Sequence, residues 1–215
     1  MQTKQEEFWS GEFGKNYTNR NTPQNLEEWN KHYIEKYGKT REAINQPFLA
    51  DLDKDIKILE VGCNTGLQLL SLQQMGFKNL YGLELQWYAV EQAKSITQNI
   101  NIVQGSGFDL PFKDGFFDLV MTNGVLIHIS PDDLPNFISE MHRCSKKYVM
   151  GFEYHAEDIQ AIPYRGNEDY LWKGDYAKIF MDKFSDLTLV KKEITPYVSE
   201  NEKGNEDATY LLEKK

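Results

Sequence analysis

The run Ile58-Leu59-Glu60-Val61-Gly62-Cys63-Asn64-Thr65-Gly66 joins an apolar, branched stretch to a turn bracketed by glycines, and Tyr81-Gly82-Leu83-Glu84-Leu85 follows after a short helical interval. Branched apolar residues ending abruptly in glycine predict a buried strand that turns tightly into a helix. Glycine lets backbone approach a ligand closely, and Asn64 tolerates the left-handed conformations such a turn needs. Glu84 closes a second predicted strand, where a carboxylate can accept hydrogen bonds from both hydroxyls of a ribose. Together these features describe a nucleoside-containing cofactor lying across the carboxyl ends of parallel strands.

The loop lacks the G-x-G-x-x-G spacing that seats a pyrophosphate on a helix N-terminus, and no phosphate loop of the G-x-x-x-x-G-K-[ST] type occurs in the chain. Glu60 ends the first strand with a carboxylate. That charge repels a pyrophosphate and suits a ligand carrying an ammonium or sulfonium. An acidic residue before a glycine loop, with an acidic ribose ligand beyond it, resembles the first two motifs of class I S-adenosylmethionine-dependent methyltransferases. The resemblance implies S-adenosylmethionine as cofactor, S-adenosylhomocysteine as product, and contacts from Glu60, Gly62, Cys63, Asn64, Thr65, Gly66, Glu84 and Leu85. It extends to Gly105-Ser106-Gly107, where small residues leave room for an adenine; related enzymes often carry aspartate at the Ser106 position. It also covers Met121-Thr122-Asn123-Gly124-Val125-Leu126-Ile127-His128, placing Asn123 and Gly124 beside the methionine half of the cofactor. His128 is the candidate general base, because histidine titrates near neutral pH. A structural histidine beside an apolar run is the competing reading.

The elements that must position these residues alternate without a composition break. Strands are expected at 57–61, 79–84, 101–104, 117–121, 147–153, 187–194 and 207–213, with helices at 66–75, 86–98, 131–142 and 174–184 between them. Ser130 is the expected N-cap of the third of these helices. Residues Gln24 to Leu52 carry a helical pattern interrupted by Gly38 and Pro47. The expected fold is α/β, a doubly wound, mostly parallel seven-stranded sheet finished by an antiparallel hairpin. The methyltransferase resemblance adds the strand order 3-2-1-4-5-7-6. With 215 residues, the chain fits one structural domain, read as an N-terminal lid with helices over 1–52 and a cofactor-binding core over 53–215.

Hydrophobic content of 40% and a mean hydropathy of -0.62 predict a globule with no membrane partner, and no signal-peptide core is read at the start of the sequence. Cys63 and Cys144 give neither a disulfide framework nor a metal spacing, so no metal is expected and a reducing cytoplasm is. A net charge of -9 disfavours a nucleic-acid partner, as does the absence of an Asn/Asp-Pro-Pro-aromatic motif.

Phe8-Trp9-Ser10-Gly11-Glu12-Phe13-Gly14-Lys15-Asn16-Tyr17-Thr18-Asn19-Arg20-Asn21 is rich in aromatics and amides, without clean helical periodicity. With the other motifs it resembles the pseudaminic acid biosynthesis-associated methylases. That resemblance implies a lid in which Trp9, Tyr17 and Arg20 close over the cofactor, Arg20 pairing with its carboxylate. The alternative is an aromatic-stapled leading helix. After the fifth strand, Tyr154, His155, Tyr164, Arg165 and Trp172 lie on a long aromatic loop expected to face a small-molecule acceptor, where rings stack on sugars and a cation holds a phosphate or carboxylate. The expected reaction is in-line methyl transfer to a sugar or sugar nucleotide. A non-catalytic cofactor-binding protein and a nicotinamide-dependent oxidoreductase are the alternatives.

Overall fold

The structure, a computed structural model, describes residues 2–21, 23 and 25–215. Four helices lead: α1 (Lys4–Ser10), α2 (Glu12–Asn21), α3 (Leu26–Tyr37) and α4 (Arg41–Leu49). The segment that lacks clean periodicity therefore folds as two short helices. A capping box starts the first. Thr3 N–H donates to Glu6 Oε2 at 2.8 Å, and Glu6 N–H donates to Thr3 Oγ1 at 3.1 Å. Gly11, in extended backbone, separates α1 from α2. Gly38 terminates α3 in the left-handed region. Pro47 does not interrupt the next helix as expected; it lies inside α4, which ends two residues later. Gln24, where the helical pattern begins, lies outside the described residues.

Strands β1 (Lys57–Val61), β2 (Asn79–Glu84), β3 (Asn101–Gln104), β4 (Phe117–Asn123) and β5 (Ser145–Tyr154) are parallel neighbours in the order β3-β2-β1-β4-β5. A two-residue hairpin, β6 (Gln160–Ala161) with β7 (Trp172–Lys173), stands apart. The long strands β8 (Leu187–Pro196) and β9 (Glu206–Lys214) complete the seven-stranded sheet, β9 antiparallel to both β5 and β8. With the small hairpin set aside, this is the expected order 3-2-1-4-5-7-6.

The central strands are apolar because both faces are covered. On one face α4, α5 (Leu67–Gln74) and α6 (Trp87–Ile96) bury Phe48, Leu69, Leu72 and Val90 against Ile58, Leu80 and Met121. On the other, α7 (Leu134–Cys144) and α8 (Tyr176–Lys183) bury Phe137, Ile138, Met141 and Phe180 against Leu59, Val120 and Val149. Helix α7 begins at Leu134 rather than at Pro131. Ser130 caps the preceding turn, its Oγ accepting from Asp133 N–H at 3.2 Å. No helix among the described residues is long and apolar enough to cross a membrane.

Candidate functional site

A cavity of about 580 Å³ opens over the carboxyl ends of β1, β2 and β4, with α1, α2 and α3 across from them. Its floor is the turn after β1. Gly62 has φ +75° and would bring a Cβ to 2.6 Å from Val125, so only glycine serves there. Asn64 is also left-handed, at φ 46°. Its N–H donates to Glu84 Oε2 at 2.8 Å, and Thr18 Oγ1 of α2 donates to its Oδ1 at 3.2 Å. Glu84 accepts a second amide, Gln86 N–H, on Oε1 at 2.8 Å. Burial pushes the Glu84 carboxyl above its ordinary range, and these backbone amides oppose that shift. The carboxylate is thereby fixed at the end of β2.

Glu60 is buried in the cavity wall and its Oε2 has no hydrogen-bond partner. Burial pushes its carboxyl well above the usual range; Arg41 opposes this and Glu84 adds to it. A cationic ligand would satisfy both the charge and the vacant acceptor. Trp9 supplies the reciprocal feature, a buried Nε1 donor without a partner in the same wall. Cys63, Thr65, Leu85, Gly105, Gly107, Asn123 and Gly124 also line the cavity. Burial raises the Cys63 thiol well above its ordinary value, which leaves it an inert wall.

His128 ends the single turn Leu126–His128 that follows β4. Its Nδ1 lies 2.8 Å from the Tyr170 carbonyl, a partner that can only accept, so Nδ1 carries the proton and Nε2 is the free acceptor. Burial lowers its pKa to about 4, which keeps the ring neutral near pH 7. The ring packs between Trp9 and Tyr164, with centroids 4.5 and 5.1 Å away. Glu153 braces this turn from β5, its carboxylate accepting Val125 and Ile127 N–H at 3.3 and 3.4 Å.

Several expected site residues lie elsewhere. Arg20 is exposed, its guanidinium 5.7 Å from the Phe13 ring. Gly14, Tyr17, Thr18 and Asn21 form the cavity face of α2, and at 100° per residue Arg20 points about 120° away from it. Gly66 is not in the wall; it is the left-handed N-cap of α5 and backs onto Thr97 and Ala93. Ser106 turns from the cavity, its hydroxyl accepting Phe108 N–H at 3.0 Å and donating to Glu6. Tyr154, Tyr164 and Arg165 line the cavity, whereas His155 and Trp172 are buried outside its wall. Trp172 is fixed by pairing with Ala161, and His155 N–H by donation to the Glu206 carbonyl at 3.0 Å.

Residues that no sequence motif marked complete the wall. Tyr33 and Tyr37 of α3 read as an apolar stripe, yet both face the cavity. Tyr37 and Tyr197 hydroxyls donate to Asp207 of β9, at 2.5 Å and at 3.0 Å for the shorter Tyr197 contact; burial raises the Asp207 pKa to about 6. The Lys36 ammonium sits 4.1 Å above the Tyr197 ring and 3.5 Å from Glu202. Arg41, fully buried, donates from Nε to Gln68 Oε1 at 2.8 Å and lies 4.2 Å over Phe152.

Residues 59–152, the stretch that builds this floor, match the family model described as a methyltransferase domain. The unpartnered Glu60 oxygen, the fixed Glu84 carboxylate and the glycine cradle fit a cationic nucleoside such as S-adenosylmethionine. An uncharacterized methyltransferase of Synechocystis is 37% identical over 90 residues, 42% of each chain. The chain spans about half the length of the curated relatives it matches. Among solved structures, the magnesium protoporphyrin IX methyltransferase of Synechocystis with bound S-adenosylhomocysteine has TM-score 0.69 at 13% identity over 98% of each chain. A Burkholderia thailandensis 1,6-didemethyltoxoflavin N1-methyltransferase, with its ligand and S-adenosylhomocysteine bound, has TM-score 0.63 at 14% identity over 80% of this chain and 76% of its own.

Proposed function

We propose that the whole chain transfers a methyl group from S-adenosylmethionine to a small-molecule acceptor, a sugar or sugar nucleotide of the pseudaminic acid type. The N-terminal helices act as a lid over a core spanning 53–215. The carrying observation is that one cavity brings together the amide-held Glu84 carboxylate, the unpartnered Glu60 oxygen and a neutral histidine acceptor. The acceptor class rests on the resemblance of the Phe8–Asn21 motif. It is supported by tyrosine-rich walls and two basic side chains, Lys36 and Arg165, the latter beside Tyr164.

When bound, the cofactor supplies an electrophilic methyl on a cationic sulfur. In this reading Glu84 holds the ribose and Glu60 faces the cationic portion. Trp9, Tyr17 and Tyr164 exclude water and align the acceptor, which is the main catalytic contribution in a displacement whose leaving thioether needs no proton. His128 Nε2 takes the proton of a hydroxyl acceptor, and the Tyr170 carbonyl holds the tautomer that makes this feasible. Labelled-methyl transfer screened against nucleotide-activated sugars tests the proposal. Turnover on such an acceptor is the expected result. Transfer only to protein or nucleic acid refutes the acceptor class, and cofactor binding without turnover on any acceptor refutes catalysis.

A further inference from the structure

We infer that Glu6, on the first helix of the lid, recognises the adenine base of the cofactor, so that base identity is read by the lid rather than by the core. The inference rests on the S-adenosylmethionine reading of the cavity. Strand register locates the base. Glu84 is paired directly with Gln104 of β3, and Gly105 N–H donates to the Glu84 carbonyl at 3.0 Å. A base attached to a ribose held by Glu84 therefore lies over residues 105–108, one strand spacing of ~4.8 Å further along the sheet. The walls there are apolar: Leu85, Phe108 and Phe137. Gly107 lines the slot as well, and packing requires glycine there: a Cβ in its place would lie 2.2 Å from the Phe137 ring. Among the described residues, the wall over 105–108 carries no side-chain carboxylate from the core. Ser106 accepts Phe108 N–H and gives its own proton to Glu6 Oε1, so its hydroxyl is already engaged.

Glu6 does face the cavity. Two contacts pin its carboxylate, Ser106 on Oε1 and the Thr3 amide on Oε2, and each oxygen keeps a further lone pair. A carboxylate held so beside an apolar slot accepts from an exocyclic amino group and repels a carbonyl oxygen at the same place. Adenine carries the amino group; hypoxanthine carries the oxygen. Selectivity then appears only when α1 is docked, which links base recognition to lid closure.

Calorimetry with S-adenosylhomocysteine and its 6-oxo analogue S-inosylhomocysteine tests this in the full chain. Wild type should prefer the adenine ligand by at least ~10-fold. Glu6→Gln, whose amide donates to the oxo group, should bring the ratio of affinities close to one. Thr3→Ala loosens α1 but keeps the carboxylate; it should weaken both ligands together and leave the ratio at the wild-type value. A wild-type ratio retained in Glu6→Gln, or a ratio lost equally in Thr3→Ala, would overturn the inference while S-adenosylhomocysteine still binds. Binding of neither ligand to wild type would overturn the cofactor reading, and this inference with it.

Discussion

Replacing Glu84 with alanine separates the structural role of its carboxylate from the ribose-binding role proposed for it. Within the protein it accepts the amides of Asn64 and Gln86, each at 2.8 Å. An unpaired buried amide costs ~1–3 kcal/mol, and the cavity beside both admits water, so a loss near ~2 kcal/mol in total is expected. In a chain of this length that lowers the melting temperature by ~4–8 °C. Toward the ligand the loss is of charge-assisted hydrogen bonds to the ribose hydroxyls, ~1.5–3 kcal/mol, or ~10–150-fold in the dissociation constant of S-adenosylhomocysteine. Calorimetric titration measures the second quantity and thermal melting the first. The ribose assignment makes both fall. A lower melting temperature with S-adenosylhomocysteine affinity within ~2-fold of wild type would refute it, leaving Glu84 as a brace of the turn alone.

The acceptor side gives a kinetic contrast: with a hydroxyl acceptor, His128→Ala should lower kcat by ~10²–10⁴, whereas Arg165→Ala should mainly raise KM, and full transfer by both variants would show that the acceptor lies elsewhere. Hydrogen exchange over residues 8–21 should slow when S-adenosylhomocysteine is added, because Thr18 joins the proposed lid to Asn64 and Gln86 joins it to the end of β2, both beside the proposed ligand site; equal rates in both states would favour a permanently stapled helix pair. Acid should weaken the fold through His128. Its pKa falls from 6.5 to about 4 on folding, so its stabilising contribution is present above ~6.5 and is lost as pH drops toward 4. The stability gap between wild type and His128→Gln should therefore narrow by ~2 kcal/mol between pH 7 and pH 5 in urea denaturation, and a constant gap would contradict the buried neutral ring.

The sheet was legible because its signals are local. Ile58, Leu59 and Val61 are buried on a strand covered on both faces, and such strands read as unbroken apolar runs whatever lies far away. Expected and observed bounds of β1, β2 and β3 coincide for that reason. Helix starts were less legible. Pro131 and Ser130 carry the right residue types for a cap, but side chain and backbone close a turn first and postpone α7 to Leu134. The leading helices were hidden by composition, since Gly11 and Gly14 break the apolar period. Gly14 is nonetheless required inside α2, where a Cβ would meet the Trp9 carbonyl oxygen at 1.8 Å.

The site divides along the same line. Glu60, Gly62, Asn64 and Glu84 sit next to their own strand ends, so spacing alone brings them together. Ser106 and Arg20 were assigned by residue type, and tertiary packing reassigns both. A hydroxyl beside a carboxylate donates to it before it can serve a ligand, which is what Glu6 imposes on Ser106 from a hundred residues away. A guanidinium needs its helix face as well as its charge, and α2 gives that face to Tyr17 and Thr18. The buried guanidinium near the cavity comes instead from Arg41, whose position in α4 carries no motif. Its two terminal nitrogens have no hydrogen-bond partner, and its charge opposes the upward shift that burial imposes on Glu60. The charge of the acid proposed to face the cationic ligand thus depends on a residue nineteen positions earlier, through space rather than along the chain. A pairing of that kind exists only once α4 packs on α5 and the Arg41–Gln68 hydrogen bond closes.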